Sequence, residues 1–255
     1  MIGTVTPVQK RMPITRRFCF WLKYFLLALS LCGALHSQTT DSKRSLANTP
    51  VPTVSFAFDF PGADPSSYTI VVESTDAAVY HSAGATPVDT AGGGAAPEPA
   101  TGDPYSYKFT VSDATRSRIF QLAEQARFFA GNFEYKHRLA NTGAKTLAYT
   151  DLTRKNQTTY NYSTNTAIQE LTKIFQGISA TLEAGHRLEY LYTHQKLGLD
   201  VEMKRVDEMS KENQFEELHA IESTLQKIAN DPSVLNIVRE RAHHLLQVAG
   251  QSPNH

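Results

Sequence analysis

The spacing of the apolar residues changes once along this chain, and that change constrains the fold more than any other feature. Between residues 54 and 162, short runs place an apolar residue at every second position, which is typical of half-buried β-strands. From Thr166 onward, apolar residues recur at steps of three and four, which is typical of amphipathic helices. We therefore expect an α+β fold, in which an antiparallel sheet with helices on one face is followed by a small antiparallel helical unit.

The strand-forming part begins with the clearest alternation in the chain. Its apolar positions are Val54, Phe56, Phe58 and Phe60. Further strands are predicted at residues 68–73, 77–81, 105–111, 145–150 and 158–162. A helix capped by Ser112 or Asp113 is expected before the last two strands, ending near Phe129.

The helical part shows three apolar stripes. The first comprises Ile168, Leu171, Phe175, Ile178 and Leu182. The second comprises Phe215, Leu218, Ile221, Leu225 and Ile228, and the third comprises Val234, Val238, Ala242, Leu245 and Ala249. One of Ser163, Thr164 or Asn165 is expected to cap the first helix. The last helix is expected to open at Asp231-Pro232, because proline at the first helical position loses no hydrogen bond.

The first 37 residues have the pattern of an export signal. A basic region is followed by an apolar run over residues 24–34, and Ser37 offers a small residue for cleavage. Two alternatives to cleavage remain open. An uncleaved anchor needs about 20 apolar residues, and Lys23 interrupts the run. Lipid attachment would use Cys32, although Leu31 stands where a small residue is preferred.

The rest of the chain divides by composition. Residues 38–53 are polar and predict a flexible leader, whereas residues 83–102 are rich in Ala, Gly, Pro and Thr and predict a mobile loop. The sheet domain is expected to span residues 54–163, and the helical C-terminal unit residues 164–250.

Cysteine usage and charge exclude several classes of function. Cys19 and Cys32 both lie in the export segment, so a processed chain would have no disulfide, thiolate metal site or cysteine nucleophile. Lys+Arg and Asp+Glu number 25 each, and residues 1–37 carry five of the basic residues and no acidic one. The processed chain therefore has a net charge of 20 − 25 = −5, and we expect no nucleic-acid partner.

Three Glu-x-x-His pairs raise the question of a metal site. They are Glu183/His186, Glu216/His219 and Glu240/His243. A di-metal site in a helical bundle needs such ligands to project inward. At about 100° per residue, these side chains lie away from the centres of the apolar stripes, so the sequence predicts that they point to solvent. We expect no metal, no cofactor and no catalytic residue from recognised motifs.

A tyrosine cluster is the candidate recognition surface. Tyr149, Tyr160 and Tyr162 fall on one predicted hairpin, and the two-residue period places Tyr160 and Tyr162 on the same face. Exposed tyrosines of this kind recognise proteins or glycans, whereas buried ones pack the sheet against a helix. We expect at least one of the three to be buried.

Two segments carry a resemblance. The run from Phe58 to Tyr68 reads FDFPGADPSSY, and the run YNYS at Tyr160–Ser163 leads into IQELT at Ile168–Thr172. Over residues 54–200, these runs resemble those of uncharacterised exported bacterial proteins of unknown function. The resemblance implies no activity, and no functional residue is transferred by it.

The sequence thus predicts a periplasmic or secreted protein that is a non-catalytic binding or structural component of the bacterial envelope. Its partner would be an unknown envelope protein or a glycan, and it would touch a membrane only through an uncleaved N-terminal segment. The alternative is a periplasmic hydrolase or metalloprotein without a recognisable motif. A non-enzymatic role is favoured, and the sequence leaves the ligand and the oligomeric state open.

Overall fold

The computed structural model describes residues 50–83 and 104–251 of the 255-residue chain. The export segment predicted at residues 1–37 lies outside the described residues. So do most of the predicted leader at 38–53 and all but the first residue of the predicted loop at 83–102.

The strands form one antiparallel sheet of six strands in the order β4-β3-β2-β1-β5-β6. They are β1 (Thr53–Asp59), β2 (Ser67–Glu73), β3 (Ala77–Ser82), β4 (Tyr105–Thr110), β5 (Ala144–Thr150) and β6 (Lys155–Tyr160). The sheet is a meander through its first four strands, and β5 then pairs with the free side of β1. The edges of the sheet are therefore β4 and β6.

Five α-helices accompany the sheet in the described part of the chain. They are α1 (Asp113–Gln125), α2 (Thr166–His194), α3 (Leu199–Lys211), α4 (Glu222–Asn230) and α5 (Asn236–Gln251). Ser112 caps α1, because its side chain accepts a hydrogen bond from the backbone of Thr115, and Asn165 caps α2 in the same way. The predicted α+β fold is confirmed.

One face of the sheet packs against α1 and the first half of α2. Val54, Phe56, Ile70 and Leu147 are fully buried there, as the alternation in the sequence predicts. Phe56 stacks on Phe175 of α2 with 5.3 Å between the ring centroids. Each fully buried side chain of this size contributes roughly 1.5–3 kcal/mol, so the layer of helices holds the sheet by hydrophobic burial.

A second apolar cluster joins the last part of α2 to the helices that follow. The first cluster ends on α2 at Leu182, and the second begins at Ala184. With 29 residues, α2 is about 44 Å long, so one helix passes through both cores. A Cβ added at Gly185 of α2 would overlap the side chain of Ile221, and this glycine permits the close approach.

Three predicted boundaries were wrong. The last strand begins at Lys155 rather than 158, because Asp151 accepts hydrogen bonds from the backbones of Thr153 and Arg154 and closes a tight turn. The helix expected around the second apolar stripe is split into a 3₁₀ turn (Leu218–Ile221) and α4. The final helix begins at Asn236 rather than at Asp231-Pro232.

Within residues 50–83 and 104–251, the helices are either too short or too polar to cross a bilayer.

Candidate functional site

The three tyrosines of the candidate recognition surface are placed differently. Tyr149 and Tyr160 are only 6% and 3% exposed, whereas Tyr162 is 42% exposed. The ring of Tyr149 packs on Phe128, with 4.6 Å between centroids. The strand β6 ends at Tyr160, so Tyr162 no longer follows the alternation of the sheet. The expectation that at least one of them is buried is confirmed, and Tyr162 alone presents its side chain to a ligand.

Tyr162 lies at a groove of about 310 Å³ between the end of β6 and the first half of α2. The groove is lined by Thr142, Lys145, Tyr160, Asn161, Tyr162, Ser163, Gln169, Thr172, Lys173 and Gln176. It is small, its described lining residues are polar apart from the two tyrosines, and the ring of Tyr162 is exposed. A concave site with a few fixed polar groups is the usual form of a small-ligand site.

The floor of the groove is organised by Lys145. This residue lies opposite Tyr160 on the inward face of β5 and is only 6% exposed. Its Nζ donates to the carbonyl oxygens of Thr142, Gly143 and Asn161 at 3.2, 3.1 and 3.0 Å, and to Oγ1 of Thr142 at 3.1 Å. Burial lowers the pKa of Lys145 and outweighs the attraction of Glu134. The ammonium therefore ties the segment before β5 to the segment after β6.

A second set of hydrogen bonds fixes the rim of the groove. The side-chain oxygen of Asn161 accepts from the backbone of Thr142 at 2.7 Å, and its amide donates to the carbonyl of Ala140 at 2.9 Å. The backbone N–H of Asn161 donates to the carboxylate of Glu134 at 2.6 Å. These bonds hold the backbone at this end of the sheet in place, so the shape of the rim is preorganised.

Tyr162 is exposed but held in place. Its ring packs edge-on against Tyr135, with centroids 5.8 Å apart and planes at 85°. Its carbonyl accepts from the backbone N–H of Tyr135 at 2.8 Å. Its hydroxyl accepts from Nε2 of Gln169 at 3.1 Å, and the same amide donates to the carbonyl of Ser163 at 2.9 Å. Little side-chain freedom remains to be lost when a ligand covers the ring.

The wall of the groove is a polar strip on α2. Gln169, Lys173 and Gln176 are exposed and are spaced by four and three residues, so they share one face of the helix over about 10 Å. Within the described part of the chain, the Gln176 amide and the Lys173 ammonium make no hydrogen bond. These groups remain for a ligand.

A second cavity, of about 520 Å³, lies at the N-terminus of α1 and contains acidic groups. Glu217 is buried and accepts from the backbone N–H and the hydroxyl of Ser112 at 2.8 and 2.7 Å. Nδ1 of His219 lies 3.3 Å from the same carboxylate. Burial, followed by the charge of Glu217, raises the pKa of the neighbouring Glu216. Adjacent carboxylates in unlike environments can serve as an acid and a base, although both oxygens of Glu217 are already engaged.

The prediction that Glu183 points to solvent was wrong. Glu183 is 2% exposed, and its Oε1 accepts from the hydroxyls of Tyr80 and Ser82 at 2.8 and 2.7 Å. Its partner in sequence, His186, stacks on Tyr105 with 4.0 Å between ring centroids. Of the other two pairs, Glu240 and His243 are exposed, whereas Glu216 and His219 are half-buried and line the second cavity. Among the described residues, no three His, Cys, Asp or Glu side chains are grouped as a metal ion requires.

Sequence reasoning selected Tyr162 but missed Lys145, Lys173 and the two glutamines of the groove. The alternation of β5 would have placed Lys145 on the inward face with Leu147, which is an unusual position for a lysine. The strip on α2 follows from helical spacing, but spacing does not reveal which polar face lines a cavity.

Comparison of the chain with models of known protein families, with curated proteins and with solved structures found no match. The function must therefore be inferred from the residues of the site.

Proposed function

We propose that this protein is an exported, non-catalytic binding or structural protein of the bacterial envelope, and that it binds its partner at the groove beside Tyr162. The observation that carries the proposal is the exposed ring of Tyr162, which is held by Tyr135 and Gln169 at the mouth of a preorganised cavity. Tyrosine is among the residues that contribute most to binding, and fixed side chains lose least entropy on association.

The chemistry of the groove favours binding over catalysis. No lining residue in the described chain is a carboxylate, an imidazole or a thiol, the groups that most often act as general bases or nucleophiles. The one lining group with a lowered pKa is Lys145, and its protons are shared among four oxygens of the protein. This arrangement supports a structural role for the lysine.

The proposal is tested by retention from an extract of the cell envelope on immobilised exported protein. Tyr162→Ala is compared with Tyr190→Ala, because Tyr190 is 41% exposed but does not line the groove. We expect a component that the wild type and Tyr190→Ala retain and Tyr162→Ala loses. If every retained component is the same for all three proteins, the groove is not the binding site.

Export itself is a separate part of the proposal and rests on the composition of residues 1–37. The intact mass of protein collected from the periplasm or the medium should correspond to a chain that begins near Gln38. A full-length mass found only in the membrane fraction would instead indicate an uncleaved anchor.

The alternative function is a periplasmic hydrolase, and the cavity at Glu216 favours it. Burial raises the pKa of Glu216. Enzymes that use a carboxyl group as a general acid usually raise its pKa in the same way. If the protein hydrolyses an envelope polymer, Glu216→Gln should lower the rate by about 100-fold or more. Tyr162→Ala should leave such a rate unchanged. Loss of activity in Tyr162→Ala and not in Glu216→Gln would contradict this assignment of the acid.

A further inference from the structure

We infer that the groove beside Tyr162 binds a glycan that carries an acidic substituent. The inference rests on the proposed function, since it names the ligand class of the same site. Three properties of the groove lead to it: backbone carbonyls around it are already bonded, its free polar side-chain groups lie beside an aromatic ring, and its exposed charged side chain is a lysine.

The first property disfavours a peptide held by its main chain. Recognition of an extended peptide uses free N–H and C=O groups of an edge strand. The groove begins where the edge strand β6 ends, and four backbone carbonyls around it are bound internally. The carbonyls of Thr142, Gly143 and Asn161 accept from Lys145, and the carbonyl of Ser163 accepts from Gln169. A peptide backbone would find few partners there.

The second property suits a sugar. A hydroxyl group both donates and accepts hydrogen bonds, and the side-chain amide is the group that offers a donor and an acceptor side by side. The amide of Gln176 offers both groups, and about 10 Å away along α2 Gln169 offers its side-chain oxygen, because its N–H groups already donate to Tyr162 and Ser163. The exposed face of Tyr162 offers an apolar plane against which the C–H face of a sugar ring can pack, with a hydroxyl at its edge.

The third property specifies the charge of the ligand. Lys173 is the exposed cation of the groove, since Lys145 is buried and bound. Among the described residues, none that lines the groove is a carboxylate, and the nearby Glu134 is bonded to the backbone of Asn161. Lys173 also interacts with the charge of Glu216, which lies beside the neighbouring turn of α2. Glu216 offsets part of the charge of Lys173, and an acidic substituent on the glycan would be attracted to this end of the groove by the part that remains.

The test divides one envelope extract into two portions and uses the exported protein as the immobilised bait. One portion is digested with a broad-specificity protease, and the other is treated with periodate, which cleaves the vicinal diols of sugars. The material that depends on Tyr162 should survive the protease and disappear after periodate. For that material, Tyr162→Ala should lower the apparent affinity by about tenfold or more, whereas Tyr190→Ala should not change it.

The charge of the ligand is tested with a second pair of variants. Lys173→Gln should weaken retention about two- to fivefold at low salt, and raised salt should reduce the difference. Lys204→Gln is the matched control, because this lysine is exposed on α3 and does not line the groove. No effect of Lys173→Gln at low salt would overturn the acidic substituent.

The outcomes separate this inference from the proposed function. Retention that depends on Tyr162 but is destroyed by protease and resists periodate would mean a protein partner. That result would overturn the glycan and leave the binding site standing. If no retained material depends on Tyr162 in either portion, both the ligand class and the site are wrong.

Discussion

The close contact between α2 and the 3₁₀ turn at Leu218–Ile221 predicts how stability changes when Gly185 is replaced by alanine. The sign of that change should be opposite to the sign found in an isolated helix. In the interior of an exposed helix, replacing glycine by alanine stabilises by about 1 kcal/mol, because glycine is the poorer helix former. At Gly185 the opposite is expected. An added Cβ would lie 3.0 Å from Cβ of Ile221 and would overlap its Cγ2 atom. Ile221 is β-branched and buried, so it has little freedom to move aside.

The magnitude follows from these two opposing effects. Overpacking of a core costs about 1–3 kcal/mol, occasionally more, and a direct overlap with a branched side chain belongs at the upper end. After subtraction of the gain in helix propensity, Gly185→Ala should destabilise the protein by about 1–2 kcal/mol. The measurement is the midpoint of urea unfolding, compared at constant slope.

Gly250 provides the matched control. It also lies in a helix, but an added Cβ meets no atom of the described residues within 4 Å, so Gly250→Ala should be neutral or slightly stabilising. The double variant Gly185→Ala/Ile221→Ala should lose less stability than the sum of the two single variants, because the overlap is then removed. A Gly185→Ala protein as stable as the wild type would refute the close approach of α2 to this turn.

Three further outcomes are expected. Leu182→Ala should destabilise the protein by about 2–5 kcal/mol, because it leaves a cavity in the first core. His243→Ala, on the exposed side of α5, should change stability by no more than about 0.5 kcal/mol. Both changes are measured from the midpoints of denaturant unfolding. Lys145→Met should cost about 1–3 kcal/mol, because carbonyls that accept from the ammonium lose their donor, and it should weaken ligand retention as well. Burial opposes ionisation of Glu202, but hydrogen bonds and charge from Arg205 and Arg187 outweigh it and lower its pKa. The stability that Glu202 contributes is complete above its unfolded pKa of about 4.3 and is lost as the pH falls through its lower folded pKa. Glu202→Gln should therefore weaken the dependence of the free energy of unfolding on pH in this acid range, which is checked by measuring unfolding at a series of pH values.

The architecture was predictable because its elements are specified locally. The alternation from Val54 to Phe58 fixes which face of β1 is buried, and a register slip of one residue would expose that face. The stripe from Ile168 to Leu182 fixes the face of α2 that meets the sheet, and every one of its members is fully buried. Local spacing and burial agree at these positions, so sequence alone identifies them.

The boundaries failed where a single side chain decides the backbone. A polar run such as residues 152–157 could turn at several points, and the hydrogen bonds accepted by Asp151 select the earliest of them. The second apolar stripe continues through Leu218, but Glu217 adopts a left-handed backbone conformation with φ of 57° and interrupts the helix. Its carboxylate is engaged by Ser112, which lies 105 residues earlier. A contact between residues so far apart in the sequence cannot be predicted from the local spacing of apolar residues.

The candidate groove was only partly predictable for a related reason. The tyrosines were visible as a cluster, but their exposure depends on where β6 ends, and that position follows from the turn at Asp151. A shift of the strand by a few residues separates Tyr162 from Tyr160 and places it at the mouth of a cavity instead of on the sheet. The site is therefore a consequence of the boundary that sequence reasoning determines least well.

Glu183 shows why one apolar stripe does not describe a helix that has two partners. Angles measured from the stripe of α2 assume a single buried face, and on that assumption Glu183 lies outside it. The helix instead packs on the sheet along one side and on the 3₁₀ turn at Leu218–Ile221 along another, with Gly185 at the second contact. A polar residue between two such contacts is buried whatever its angle to the first stripe. Its Oε1 accepts from the hydroxyls of Tyr80 and Ser82, which offsets part of the cost of burying the carboxyl group, whereas its Oε2 is buried with no hydrogen-bond partner among the described residues. The two hydroxyls come from β3, so the side chain that periodicity assigns to solvent joins the sheet to α2.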